Sequence, residues 1–138
     1  MPTNTAGSSA RVYHQAQTHY IDLSYTFASL PGSSASAVIG TVPAGAAITR
    51  ILSAVSTGFN WGTTNTYSIG TTSGGTNLLA AGTNNVVGAV INTVVVGSAQ
   101  VPQVDTSIFI TATATGTAAT AGAATVYVEY LVPGTALV

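Results

Sequence analysis

Between Val42 and Thr72 the chain reads VPAGAAITRILSAVSTGFNWGTTNTYSIGTT, and this stretch limits the possible folds more than any other. Pro43 fixes φ and Gly45 accepts either sign, which marks a turn, and a β-branched and aliphatic run over 48–57 follows. That run predicts a strand. Phe59, Asn60, Trp61 and Gly62 come next, the lone Trp lying between an Asn and a Gly that tolerate positive φ, before a second extended run over 64–70. The pattern predicts a hairpin with an aromatic tip. Ile51, Ser53, Val55 and Thr57 point to one side and Arg50, Leu52, Ala54 and Ser56 to the other. Neither side is uniformly polar, so both need cover.

The remaining chain follows the same grammar. From His19 the alternation places Ile21, Leu23, Tyr25 and Phe27 on one face of a strand and Tyr20, Asp22, Ser24 and Thr26 on the other. Turn clusters at 30–34 and 73–77 bound a short strand over 37–42 and an apolar segment over 78–81, which reads as a helical turn or a strand end. A β-branched strand over 86–96 contains Gly88, the mark of a bulge. The last two strands, 105–113 and 125–132, are expected to pair across the 116–122 loop. Seven or eight strands with no sustained helical period predict an all-β fold, an antiparallel β-sandwich. Jelly-roll and immunoglobulin-like topologies both fit. Residues 1–18 are polar and lack apolar periodicity, so they read as an extended N-terminal arm before a domain over 19–138. Arg11, Val12, Tyr13 and His14 interrupt that polarity and are the arm's candidate protein contacts.

Composition narrows the function. Only 4% of the 138 residues are charged, against about 25% in an ordinary soluble domain. Such a surface has little colloidal protection, which predicts that much of it is covered by self-association or by a partner. Two Arg, no Lys and a formal net charge of −1 leave no basic patch for nucleic acid. No apolar run reaches the roughly 18 residues of a membrane helix, so no membrane partner is expected. The start MPTNTAGSSAR lacks the basic and apolar parts of a secretory signal, and the expectation is synthesis in the cytoplasm.

Catalytic chemistry has few carriers. There is no Cys, His14 and His19 are wrongly spaced for one metal, and Asp22, Asp105 and Glu129 are scattered. No enzyme, metal or cofactor is expected. Arg50 and Glu129 each stand inside an otherwise uncharged strand, which makes them a candidate ion pair. Phe59 is expected in the core, whereas Trp61, between Asn60 and Gly62, is expected to contact another chain.

With these residues laid out, the chain resembles the capsid cement, or decoration, proteins of tailed bacteriophages, that of a Bordetella phage among them. The resemblance rests on TVPAGAAITR at 41–50 with the strand to Thr57, on Phe59-Asn60, on YSIGT at 67–71 and on GAATVYVEY at 122–130. It implies a jelly-roll sandwich in many copies on the outer surface of the head, where dimers or other symmetric oligomers reinforce contacts between major capsid subunits. A tail-fibre or receptor-binding module gripping a host glycan through the loops around Trp61 and 116–122 is the alternative.

Overall fold

A computed structural model describes residues 17–26, 28, 34–82, 88, 90–95 and 97–132. Eight strands carry it: β1 (Gln17–Thr26), β2 (Ser34–Val42), β3 (Ala47–Thr57), β4 (Thr64–Gly70), β5 (Leu79–Gly82), β6 (Val90–Val94), β7 (Thr106–Thr115) and β8 (Ala123–Val132). They form two four-stranded antiparallel sheets, ordered β1-β8-β3-β6 and β2-β7-β4-β5. The pairs β4–β5, β3–β6, β2–β7 and β1–β8 are nested like one long hairpin, with successive pairs falling in alternate sheets. The fold is an antiparallel β-sandwich.

Period-two alternation decides what lies between the sheets. Ile48, Ile51, Val126 and Val128 from the first sheet meet Ile69, Ile108 and Ile110 from the second in one core, and all seven are fully buried. Burying each such side chain contributes about 1.5–3 kcal/mol. In β1, Tyr25 is buried while Tyr20, Asp22, Ser24 and Thr26 are exposed, as the alternation predicts. Ser53 also faces inward and is buried, and the Tyr67 hydroxyl donates to it across the sandwich at 3.1 Å. The Tyr25 hydroxyl is buried beside the same Ser53 but lacks the well-formed hydrogen bond that Tyr67 makes, and burial raises its pKa.

Both ends of the sandwich are closed by specific backbone brackets. At one end the β2–β3 turn is held by Asp105, whose Oδ1 accepts from Ala44 N at 2.9 Å, and by Pro102, whose carbonyl accepts from Gly45 N at 2.7 Å. At the other, Asn60 Oδ1 accepts from the backbone N–H groups of Thr120 and Ala121, both at 2.9 Å. Gly62 packs there so closely that a Cβ would lie 2.6 Å from the Thr115 carbonyl oxygen. Gly122, at φ +147°, leaves room for the Phe59 ring.

The structure corrects several expectations. β3 and β4 are not a hairpin, because residues 58–63 cross from one sheet to the other, and β7 and β8 likewise lie in different sheets. Asn60 has no positive φ and works as a hydrogen-bond bracket instead. β1 begins at Gln17, inside the expected arm. Gly88, at φ +81°, lies before β6 rather than inside it, and the 78–81 segment becomes β5.

The two buried tyrosines give a discriminating test. Tyr67→Phe strands the buried Ser53 hydroxyl and is expected to destabilise the fold by roughly 1–2 kcal/mol. Tyr25→Phe removes a hydroxyl whose contact with Ser53 is the weaker of the two and is expected to cost less. Denaturant unfolding of both variants measures the difference, and equal losses would contradict this account of the core.

Candidate functional site

Four charged residues lie within the described part of the chain: Asp22, Arg50, Asp105 and Glu129. Asp105 is used in the β2–β3 turn. The other three converge on the outer face of the first sheet, because β8 lies between β1 and β3 and the registers align them. One cross-strand row is Tyr20, Glu129, Arg50, and the next is Asp22, Tyr127, Leu52. A third holds Ser24 and Thr125, whose hydroxyls lie 3.2 Å apart.

Glu129 is the hub of the first row. A register shift between Ile48 and Arg50 makes Thr49 a bulge residue, so that two consecutive side chains of β3 reach one carboxylate. Thr49 Oγ1 donates to Oε1 at 2.6 Å, Arg50 Nη2 to Oε2 at 2.7 Å and Tyr20 Oη to Oε2 at 3.1 Å. The Thr49 hydrogen bond, with those from Arg50 and Tyr20, holds the Glu129 carboxyl below its ordinary pKa against the opposing effect of desolvation. The Arg50 side chain remains 39% exposed, so water screens the pair and its contribution is chiefly orientation.

Around this hub Tyr20, Asp22, Arg50, Leu52, Tyr127 and Glu129 line an open depression of about 470 Å³. Tyr20 is 57% exposed and Tyr127 37%, so two large aromatic side chains stand at the surface beside an exposed carboxylate. Aromatic residues and Arg are the types enriched where proteins meet. The surface is equipped for contact. No group of three or more His, Cys, Asp or Glu side chains among the described residues could hold a metal ion.

The outer face of the second sheet is chemically different. It presents Ser36, Val38, Phe109, Thr113 and Thr66 and carries no described charged residue. Ser36 and Thr111 hydroxyls meet at 2.7 Å, and Gly74 N donates to Thr111 Oγ1 at 2.9 Å from the β4–β5 connection lying over them. Val38 is 52% exposed.

Of the residues singled out from the sequence, Arg50 and Glu129 are brought together. Trp61 is not an exposed anchor: it is 6% exposed and stacks on Phe59 at 4.8 Å, and Phe59 stacks on Tyr25 at 5.6 Å. The reason is topological. The 58–63 segment crosses between sheets, so its aromatics close the end of the core instead of projecting from a hairpin tip. Arg11, Val12, Tyr13 and His14 lie outside the described residues. Tyr20, Asp22 and Tyr127 were missed as a site, although a Tyr on the polar side of β1 and another alternating outward from Val126 and Val128 were the available signal.

One solved structure is similar over nearly the whole chain. This is the protein described as the capsid of Ralstonia phage GP4, with a TM-score of 0.61 and 19% sequence identity, covering 98% of this chain and 90% of that chain. At that identity the likeness establishes a shared fold. No protein-family model matches the chain, and no curated protein does.

The Glu129 hub makes a pH prediction. Its pKa is lower in the folded state, so the stability it contributes is complete above its ordinary value of 4.5 and is lost as pH falls through the folded value. Between about pH 5 and about pH 3 the thermal midpoint of the Glu129→Gln variant should therefore fall less steeply than that of the parent. Superimposable slopes would show that Glu129 is not differentially protonated on folding.

Proposed function

We propose that this chain is a structural virion protein of a tailed bacteriophage, a cement or decoration protein that sits on the outer surface of the capsid and reinforces contacts between major capsid subunits. The observation that carries this reading is the likeness, across 98% of the chain, to a protein named as a phage capsid. The nested pairing of eight strands in alternate sheets also supports a jelly-roll assignment, an architecture common in viral capsids. No catalytic role and no cofactor are assigned.

Physical properties of the surface agree with that role. A protein with 4% charged residues gains from having its faces covered, and this one has two faces of different character. The uncharged face with Val38 and Phe109 suits the large, flat contact of a shell, with the major capsid protein as partner. The face with Tyr20 and Tyr127 suits self-association, and the arm before β1 suits reaching a neighbour. A protein that binds the expanded lattice better than the unexpanded one stabilises the expanded state by that difference in affinity. Such reinforcement needs neither nucleic-acid contact nor catalysis. The glycan-binding alternative loses the aromatic platform expected at Trp61, which is buried.

Cryo-electron microscopy of the particle that carries this protein is the test. The proposal predicts regularly spaced density on the outside of the head into which the sandwich fits. Density at tail-fibre tips, or absence of the protein from purified particles, would overturn it.

A further inference from the structure

Asp22 is exposed, and no hydrogen bond or ion pair to it occurs among the described residues, whereas Arg50 and Glu129 hold each other and Asp105 holds a turn. It lies opposite Tyr127 on β8 and two residues along β1 from Tyr20, so its carboxylate stands beside both exposed aromatic side chains. With Asp22 and Glu129 against Arg50, the depression carries one surplus negative charge. Two such faces meeting directly would bring like charges together. The chemistry calls for a cation with an affinity for aromatic rings, which a guanidinium satisfies better than an ammonium.

The chain has one other fixed cation, Arg11, with Val12 and Tyr13 beside it as apolar companions. We propose that the depression is a docking site for the N-terminal arm of a second copy of this chain, with Arg11 on Asp22 between Tyr20 and Tyr127 and the arm's apolar residues over Leu52. Reach favours a second copy over the same one. Gln17 begins β1, and Asp22 lies about 17 Å along that strand at ~3.4 Å per residue. The six residues from Arg11 to Gln17 span at most about 20 Å, so docking on the same chain requires the arm to reverse immediately at the start of β1 and run back extended, a constraint that a second copy does not impose. β1 is an edge strand, which lets a neighbour approach beside it. Reciprocal exchange of arms gives a closed, symmetric pair. This inference stands whether or not the assembly belongs to a virion.

The test uses the full chain and charge reversal. Sedimentation velocity across a concentration series should show the parent as a dimer or larger. Arg11→Glu and Asp22→Arg should each raise the dissociation constant at least about tenfold, the scale of a close interfacial charge pair. The double variant R11E/D22R should recover most of the parent's affinity, and the neutral Asp22→Asn should weaken association while leaving the thermal midpoint unchanged at concentrations where both proteins are dissociated, which separates lost docking from lost folding. Single reversals that associate like the parent would overturn the proposal, as would a double variant no tighter than the weaker single. A parent monomeric at every accessible concentration would also overturn it, including where the reversals are coupled in thermal stability, since that places the arm on its own chain.

Discussion

The two sheets share no strand pairing, so the sandwich depends on burying one apolar core between them. There is no Cys and hence no disulfide to assist. Ile48, Ile51 and Val128 on one side and Ile69, Ile108 and Ile110 on the other must therefore hold the layers together, with the Tyr67–Ser53 hydrogen bond adding direction to an otherwise non-directional contact. The ends then matter as much as the middle. Asn60 ties the two crossings at one end, its side chain donating one hydrogen bond and accepting two, and Asp105 fixes the turn at the other.

A core of this kind leaves little for the surface to specify. Hydroxyl groups occupy much of the second sheet's outer face, where they pair with one another and with backbone, as Ser36 and Thr111 do. Charge is concentrated instead. The register of β1, β8 and β3 gathers three of the chain's five fixed charges onto one face and sets two exposed tyrosines among them. The β3 bulge at Thr49 completes this arrangement by orienting Glu129, so a local backbone irregularity becomes a property of the sheet's outer face.

Local pattern made the strands legible but not their partners. Alternation in β1 and β8 is clean, and Phe59 is apolar enough to be placed in the core without topology. Nested pairing, however, joins β1 to β8 and β2 to β7 across most of the chain, and a segment's own residues do not say which distant strand it will meet. Trp61 was misplaced for this reason, since whether an aromatic between two strands projects or closes the core depends on whether those strands share a sheet. Arg50 and Glu129 stood out as lone charges in apolar strands. Asp22, Tyr20 and Tyr127 become a site only once β1 and β8 are known to be neighbours.

On the proposed reading the outer face of the first sheet is a contact surface and not merely a solvated one. Hydroxyl-radical footprinting of dilute, dissociated protein against the assembled state measures this directly at Tyr20 and Tyr127. Both tyrosines should be oxidised readily in the dissociated protein and protected on assembly, while buried Tyr67 should be unreactive in both. Equal oxidation of Tyr20 and Tyr127 in the two states would contradict it.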